Sequence, residues 1–480
     1  MILENYNPGE VLTHFEAISQ IPRGSGNEKA VSDYIAQFAS DLGHRVVQDP
    51  LNNLVIFKNP TAGYENNPPI ILQAHLDMVC EKNVDTTHDF LTDPIHLYVD
   101  GDFIKAKGTT LGADNGLGVA MCMALLQATD IPHPPLEIIL TVEEETGMAG
   151  AMGLDYSLLQ GKRMVNLDNS NDSKFVMGCA AGATVACTMP VEWVAVDADK
   201  TALTITVGGL IGGHSGSDIA KERGNAICIL GQVLSTIHSQ IPVGIANIAG
   251  GMKVNAIPRE ATATITIPKN QTSAVASILE ACQNDLAIQF RATDPGLTIS
   301  SQADSVGKVL TGGLGEHVIA LLTLFPNGVH SRSMEIPGLV NASCNLGVAE
   351  TTHEHFKILA MPRGAATLYL RQVERVVKSL GALLGAAVDF TERSPAWPYN
   401  PNSALLNSAL PYYAPIFGEA PIIGAIHAGL ECGLFAEKIP GLDIISIGPT
   451  NIDLHTPDER ISLKSTAQYW EFICKLLGAL

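Results

Sequence analysis

The spacing of apolar residues changes repeatedly over the first 190 positions between two patterns. Unbroken apolar runs such as Ile70–Leu72 and Leu136–Val142 are typical of strands that are buried on both faces of a parallel sheet. Between such runs, Asn27–Leu42 carries apolar residues at helical spacing, and a further helix is expected over Gly116–Gln127. Strands that alternate with helices predict an α/β domain, with a mostly parallel sheet flanked by helices.

Beyond residue 190 the pattern becomes that of half-exposed elements. In Ala202–Val207 and Ala261–Ile267 apolar and polar residues alternate, which is typical of strands with one solvent-exposed face. Asn225–Ile237 and Ser273–Asp285 have the spacing of helices. Roughly the same order recurs over 296–385. This order predicts an α+β domain made of two β-α-β-β-α-β units in series.

The end of the chain returns to the character of its beginning and closes with a helix over Ser465–Leu477. We therefore expect one domain to be inserted into another. The outer domain comprises residues 1–190 and 390–480, and the inserted one comprises residues 191–389. A chain of 480 residues is too long for one ordinary core, which agrees with two domains.

Charge and cysteine content exclude several classes of protein. Lys and Arg total 29 against 49 Asp and Glu, a formal net charge of -20, so a nucleic-acid partner is not expected. The nine cysteines form no C-x-x-C pair, which argues against a thiolate zinc site and a disulfide framework. With no signal-like start and no apolar stretch approaching a membrane span, we expect a soluble cytoplasmic protein.

The first candidate metal-binding residues lie at the end of the buried strand near residue 70. A strand period of two places His75 and Asp77 on the same side. A carboxylate there can accept the free ring N–H of a histidine and so leave the other ring nitrogen for a metal ion. The alternative is a strand-end histidine and a loop aspartate that are satisfied by the backbone.

Acidic residues also follow later elements, and a second histidine is available near the end of the chain. Asp114 precedes a helix, Glu143–Glu145 follows a buried strand, and Asp168 closes the next strand. Each has a simpler explanation as a helix cap or a solvated loop. Together with His75 and His455 they predict a hydrolytic centre for two divalent ions, since the donors are His, Asp and Glu without Cys. The spacing does not distinguish Glu143 from Glu144.

These residues stand in motifs that resemble a known family. In chain order the site motifs are His75-x-Asp77, Gly112-Ala113-Asp114-Asn115-Gly116, Glu144-Glu145-x-Gly147, Asp168 and His455. Further motifs are Ile21-Pro22-Arg23-x-Ser25-Gly26-Asn27-Glu28, Met177-Gly178-Cys179-Ala180 and His427-Ala428-Gly429-Leu430-Glu431-Cys432-Gly433. The chain resembles, essentially end to end, the M20 family of metallopeptidases and within it the branch of cytosolic aminoacyl-histidine dipeptidases.

The resemblance implies a role for each residue of the centre. Asp114 would bridge two ions, with a cis peptide after it; His75 and Asp168 would complete one ion site, and Glu145 and His455 the other. Glu144 rather than Glu143 would be the general base, and Asp77 would orient His75. The ions would be zinc, with cobalt or manganese as alternatives.

The resemblance also extends to the inserted domain and to substrate binding. His214, in Gly212-Gly213-His214-Ser215-Gly216, would stabilise the oxyanion, acting within its own chain or across a homodimer. Asn255 and Arg363 match substrate-binding positions, and Arg363 would hold the substrate carboxylate. The family pattern of Arg-Ser is replaced here by Arg363-Gly364, so Arg332 is a rival. His427 and Glu431 would line the pocket, with a structural role as the alternative for Glu431.

The implied activity is hydrolysis of unblocked dipeptides with broad specificity, including Xaa-His. Asp rather than Glu at position 168 is similar to the amino- and dipeptidase members of the family. Other members offer two rivals, a tripeptidase and an N-acyl amino acid deacylase. A rival of a different class is a metal-binding homologue that has lost catalysis.

Overall fold

The computed structural model describes residues 2–480. Its helices are α1 (Gly9–Ile18), α2 (Lys29–Asp41), α3 (Ala113–Gln127), α4 (Glu144–Gly147), α5 (Ala149–Gly153), α6 (Ala226–His238), α7 (Thr272–Gln289), α8 (Gly312–Leu324), α9 (Thr367–Leu384), α10 (Ala404–Phe417), α11 (Glu431–Lys438) and α12 (Leu463–Leu477). Its strands are β1 (Arg45–Gln48), β2 (Leu54–Lys58), β3 (Ile70–His75), β4 (Leu97–Asp100), β5 (Phe103–Ala106), β6 (Leu136–Thr141), β7 (Arg163–Asn166), β8 (Lys174–Cys179), β9 (Ala181–Pro190), β10 (Trp193–Ala195), β11 (Lys200–Gly208), β12 (Gly213–His214), β13 (Gly244–Gly250), β14 (Ala256–Ile257), β15 (Ala261–Pro268), β16 (Thr298–Asp304), β17 (Lys308–Leu310), β18 (Gly328–Arg332), β19 (Val340–Thr351), β20 (His355–Gly364), β21 (Ala387–Ser394), β22 (Ile422–Ile426), β23 (Asp443–Ser446), β24 (Asn451–Ile452) and β25 (Arg460–Ser462).

The chain forms two compact units. Unit 1 comprises Met1–Cys179, Trp397–Ala425 and Leu430–Leu480, and unit 2 comprises Ala180–Ala396 and Ile426–Gly429. No helix among residues 2–480 combines the length and the apolar character that crossing a bilayer requires. All nine cysteines are free thiols.

Unit 1 is built on an eight-stranded sheet of order β1-β2-β6-β3-β7-β23-β8-β22. The pairs β6–β3, β3–β7 and β7–β23 are parallel, whereas β1–β2, β2–β6 and β23–β8 are antiparallel. The parallel part predicted from the sequence is therefore the centre of the sheet. The carboxyl ends of its four strands share one edge, which is where such sheets bind ligands.

The core of unit 1 explains why these sequences form these elements. Every residue of β3 and β6 is buried, as predicted from their unbroken apolar runs. Helix α3 is also buried on nearly all sides, so its sequence is apolar around the whole helix. Burial of each Leu or Ile side chain in such a core contributes about 1.5–3 kcal/mol. The result is a rigid support for the loops at the sheet edge.

Unit 2 contains a second, antiparallel sheet with helices packed against it. Its strand order is β16-β11-β15-β13-β19-β20-β9-β21, and β18 pairs with β19. Strands β11, β13, β15 and β16, with α6 and α7, form one β-α-β-β-α-β half. Strands β9, β19, β20 and β21, with α8 and α9, form the other.

The prediction that the two halves follow in series is wrong. Strand β9 belongs to the second half, since it pairs with both β20 and β21, yet it precedes the whole first half in the chain. For example, Val185 pairs with Ala360 on one side and with Phe390 on the other. The first half is thus nested inside the second, and pairing over such a separation leaves no local pattern in the sequence.

Candidate metal centre and active site

The acidic and histidine residues of unit 1 lie where the parallel strands end. His75 is the last residue of β3, Glu143–Glu145 follows β6 after one residue, and Asp168 follows β7. Asp114 lies in the first turn of α3, where its backbone departs from helical geometry and the Asp114–Asn115 peptide is cis, as expected. His455 adopts a left-handed backbone with φ 62° in the segment that follows β23 and β24.

The carboxylate of Asp114 lies between the two imidazoles. Its Oδ1 is 3.1 Å from Nε2 of His75, and its Oδ2 is 3.3 Å from Nε2 of His455. Nearly 400 positions of sequence separate these histidines, so only the fold brings them together. A carboxylate with one oxygen toward each of two imidazoles is the arrangement expected of a ligand that bridges two ions.

Two further carboxylates complete the arrangement, one on each side. Oδ1 of Asp168 is 3.5 Å from Nε2 of His75, and Oε1 of Glu145 is 3.1 Å from Nε2 of His455. Candidate ligand atoms lie within 4.8 Å of one another in three sets, which are His75–Asp114–Asp168, His75–Glu144–Glu145 and Asp114–Glu145–His455. The first and third sets contain the residues predicted for the two ion sites.

Asp77 is fully buried and holds several groups of the centre at once. Its Oδ1 lies 3.3 Å from Nδ1 of His75, and its carboxylate accepts hydrogen bonds from Ser25 Oγ at 2.7 Å and from the backbone N–H groups of Glu144 and Glu145 at 3.1 and 3.2 Å. Burial opposes its ionisation, but these bonds outweigh burial and lower the pKa of Asp77. An ionised Asp77 therefore fixes both the ring of His75 and the turn that carries the acids.

The electrostatics of the cluster suit a cation. Burial raises the pKa of Glu144 well above its usual value, and it also raises the pKa values of Glu145 and Asp168. The adjoining Asp114 and Glu145 carboxylates raise the pKa of His455 to about 10. Oε1 of Glu145 is buried and makes no hydrogen bond of good geometry. Burial makes it costly to ionise these carboxylates unless a positive charge lies beside them. Together with the two imidazoles they form a donor set that fits divalent ions.

The geometry also separates Glu144 from its neighbour. Glu144 belongs to a ligand-distance set with His75 and Glu145, whereas Glu143 belongs to none of the sets. Glu143 instead takes a left-handed backbone, φ 53°, and its N–H donates to Glu28 Oε1 at 3.0 Å. The structure therefore favours Glu144 as the acid that faces the centre.

Comparison with known proteins agrees with this geometry. Residues 71–479 match the model of peptidase family M20/M25/M40. The chain belongs to this family. It is 37% identical to the cytosol non-specific dipeptidase of Escherichia coli over 476 residues, which are 99% of this chain and 98% of the relative. Among solved structures it is similar to aminoacylhistidine dipeptidase from Vibrio alginolyticus, with a TM-score of 0.92, 36% identity and coverage of 100% and 98% of the two chains.

A more distant likeness extends to other peptidases at the level of the fold alone. The tripeptidase from Staphylococcus aureus matches with a TM-score of 0.56 at 18% identity, covering 98% of both chains.

In unit 2 of this M20 family chain, the fold fixes the tautomer of His214. Strand β12 pairs with β14 through His214 and Ala256, and Asn255 precedes β14 and is exposed. The ring Nδ1 of His214 accepts from the backbone N–H groups of Gly216 and Ser217 at 3.3 and 3.2 Å. Since Nδ1 is an acceptor, the neutral ring carries its proton on Nε2 and can donate from that atom.

Arg363 is a buried cation in the same unit. Its side chain is 8% exposed, its Nε has no hydrogen-bond partner, and burial lowers its pKa to about 10. It lies opposite Ser343 in the β19–β20 pair, and Ser343 Oγ is 2.7 Å from Nε2 of His427. The rival Arg332 is exposed and forms an ion pair with Glu222. The unsatisfied position is therefore Arg363, which suits an anionic ligand.

Glu431 lies in unit 1 and belongs to a buried polar network of the central strands. Its Oε2 accepts hydrogen bonds from Gln73 Nε2 at 2.6 Å and Thr141 Oγ1 at 2.7 Å, while its Oε1 is buried without a partner. Gln73 in turn accepts from Asn166 Nδ2 at 2.5 Å. Burial raises the pKa of Glu431 to about 8. These hydrogen bonds favour the structural role that is the alternative for Glu431, although its Oε1 is left without a partner.

Sequence reasoning assigned no role to two residues that touch the centre's loops. Glu459 accepts hydrogen bonds from the backbone N–H groups of 111–114, and Arg23 donates to the carbonyls of Leu76, Asp77 and Gly112. Their partners are backbone atoms, which carry no pattern in the sequence. The available signals are the motif that contains Arg23 and an acid four positions after the candidate ligand His455.

Proposed function

We propose that this protein is a dipeptidase that uses two divalent metal ions, zinc in the first place and cobalt or manganese as the alternatives. The observation that supports it best is Asp114 between His75 and His455, with Asp168 and Glu145 on the two sides. The E. coli and V. alginolyticus relatives, both named dipeptidases, match over almost the whole chain. We place the protein in the cytoplasm, as the name of the E. coli relative suggests.

In this proposal the centre in unit 1 performs the chemistry. Asp114 would be shared by the two ions, His75 and Asp168 would hold one, and Glu145 and His455 would hold the other. When bound, the ions polarise the peptide carbonyl and make a water molecule more acidic. Glu144 accepts a proton as the water oxygen attacks the carbonyl carbon, and it passes that proton to the amine nitrogen when the C–N bond breaks.

Unit 2 would be the substrate-binding domain. His214, whose tautomer places the proton on Nε2, would donate a hydrogen bond to the substrate's carbonyl oxygen as negative charge develops there. Arg363 would pair with the C-terminal carboxylate, since a buried guanidinium with an unused N–H suits a planar anion. Asn255 and His427 would contact the substrate, and Glu431 would meet its α-amino group. Recognition of both termini would limit the substrate to two residues.

A panel of substrates tests the proposal. Zinc-loaded protein should hydrolyse free dipeptides, Xaa-His included, much faster than tripeptides or N-acyl amino acids. Preference for either other class would instead identify a tripeptidase or a deacylase. Failure to hydrolyse any of the three classes would indicate a metal-binding homologue without catalysis.

The base is tested by one substitution. Glu144→Gln should reduce kcat by at least about 100-fold, which is within the range of a general base's contribution. Its metal content should equal that of the wild-type protein, because Glu144 is not among the five proposed ligands. Unchanged turnover in this variant would remove Glu144 from the mechanism.

A further inference from the structure

The carboxylate of Glu459 is bound by an unbroken run of backbone N–H groups. Its Oε2 accepts from the N–H of Leu111 at 2.8 Å and of Gly112 at 2.9 Å, and its Oε1 accepts from Ala113 at 3.0 Å and Asp114 at 3.2 Å. The residue is only 2% exposed. Successive N–H groups at the start of a helix favour an anion, so the ionised carboxylate is stabilised there.

Glu459 also joins this loop to the segment that carries His455. Glu459 follows His455 by four residues, and Oε1 of Glu459 accepts from Asn451 Nδ2 at 3.1 Å within the same segment. The N–H of Asp114 is one of its donors. A single buried carboxylate therefore connects the backbone of Asp114 with the backbone that presents His455.

Arg23 holds the same loop from its other side. Its buried guanidinium donates to the carbonyls of Leu76, Asp77 and Gly112. Gly112 thus has its N–H bound by Glu459 and its carbonyl bound by Arg23. At Gly112, which has φ +68°, a Cβ atom would come within 2.6 Å of Arg23 Nη2, so this close approach of the loop to Arg23 requires glycine. Leu76 and Asp77 directly follow His75. Through its bonds to their carbonyls, Arg23 therefore also connects the segment that carries His75 to the loop at Gly112.

We propose that Glu459 is a positioning residue for the metal centre, which sets the separation between Asp114 and His455. This inference rests on the proposed two-metal function. It assigns to Glu459 more than the stabilisation of a helix end, because its hydrogen bonds link two ligand-bearing segments. Arg23 performs the corresponding link between the loop that precedes Asp114 and the segment that follows β3.

Glu459→Gln is the substitution that tests this role. An amide has one acceptor oxygen, and its NH₂ group would face two of the four backbone N–H donors. The hydrogen bonds from those two N–H groups would therefore be lost. We expect zinc affinity to fall about 10- to 100-fold, as is usual when a group that orients ligands is changed. We expect kcat to fall while KM changes little, since no proposed substrate-binding residue is touched.

Glu137→Gln is a matched control in the same unit. Glu137 is 4% exposed and accepts from the backbone N–H groups of Gln160 and Gly161 at 2.9 and 3.0 Å, and neither of these donors belongs to a loop that carries a proposed ligand. Zinc affinity is measured by competition with a chromophoric chelator, and the metal-free fold is followed by thermal unfolding. The control should lose stability and keep wild-type zinc affinity.

The outcomes separate this inference from the proposed function. If wild-type protein fails to bind two zinc ions, the proposed function fails. If it binds two and folded Glu459→Gln binds them equally tightly, only the positioning role is overturned. Should Glu459→Gln not fold, Glu459→Asp keeps the charge on a shorter arm. Weaker zinc binding by that variant supports the role, and wild-type zinc affinity and kcat refute it.

Discussion

Buried charged side chains in this protein are of two kinds, according to how fully their polar atoms are bonded. Asp77 and Glu459 each accept hydrogen bonds on both carboxylate oxygens and so act as fixed supports. Arg363 and Glu431 each keep a buried atom with no hydrogen-bond partner. Since buried polar groups are nearly always paired, an unpaired one in a candidate site indicates the place of a ligand atom.

For Arg363 this distinction predicts opposite effects on binding and on stability. Burial lowers the folded-state pKa of Arg363 to about 10, below the unfolded value. The charged guanidinium therefore reduces the stability of the fold, and this effect is complete at pH values below about 10. Arg363→Met should raise the free energy of unfolding at pH 7 by about 1–3 kcal/mol. It should also raise KM for dipeptides about 10- to 100-fold, because a charge-assisted bond is lost.

Steady-state kinetics and denaturant unfolding measure both effects. Arg332→Met is the control, since Arg332 is exposed and already paired with Glu222. An increase in KM for Arg332→Met and none for Arg363→Met would reverse the assignment of the substrate carboxylate.

Glu431 predicts a pH dependence. Burial raises its folded-state pKa to about 8, above the unfolded value, so the folded state retains a proton that the unfolded state has lost. The metal-free protein should therefore lose stability as pH rises from about 4.5 to 8, and Glu431→Gln should remove about 1–3 kcal/mol of that loss. Unfolding at pH 5 and pH 8 measures it. An unchanged KM in Glu431→Gln would leave the residue a structural role only.

At the scale of elements, the C-terminus of α3 is held by a buried lysine. Lys58 Nζ donates to the carbonyls of Leu125 and Ala128, and His44 Nε2 lies 2.9 Å from the carbonyl of Leu126. These carbonyls have no partner within the helix, and a cation suits the negative end of its dipole. Helix α3 is thus fixed at the end opposite to Asp114.

Replacement of that lysine should affect stability and leave the chemistry intact. Lys58→Met keeps the apolar stem but leaves two carbonyls without their donor, so we expect about 1–3 kcal/mol lower stability at pH 7. Urea unfolding of the metal-free protein measures the loss. Because Asp114 is held separately by Glu459, kcat at saturating zinc should stay within about twofold of wild type. A large fall in kcat would show that the far end of α3 also sets the centre.

The elements themselves were predictable where local pattern determines them. Strands β3 and β6 and helix α3 follow from apolar runs, since nearly every residue of these segments is buried. The convergence of His75 and His455 on Asp114 could be inferred from motifs that resemble a family, but not from spacing. The role of Glu459 in holding the loop could not be predicted from the sequence, because its four donors are backbone N–H groups, which every sequence carries.

At the scale of the whole molecule, the long segment 180–396 of unit 2 begins and ends next to neighbouring residues of unit 1. Cys179 and Trp397 exchange backbone hydrogen bonds, N–H of Cys179 to the carbonyl of Trp397 at 2.9 Å and the reverse at 3.1 Å. Inside unit 2, β9 and β21 are neighbours, and Gly182 pairs with Ser394. Segment 180–396 therefore begins and ends at one place in unit 1, which is the geometry of an insertion, and the short segment Ile426–Gly429 is a separate passage of the chain into unit 2.

This adjacency predicts that the metal centre can exist without most of unit 2. Two residues that exchange both backbone bonds are positioned like the last pair of a hairpin, so a two-residue Asn-Gly turn can replace residues 180–396. We expect the shortened chain to fold and to bind two zinc ions with an affinity near that of the full chain, since all five proposed ligands lie in unit 1. It should not hydrolyse dipeptides, because His214 and Arg363 are gone. Zinc titration and a dipeptide assay check both parts. Loss of zinc binding in a folded product would mean that residues of unit 2 help to form the centre.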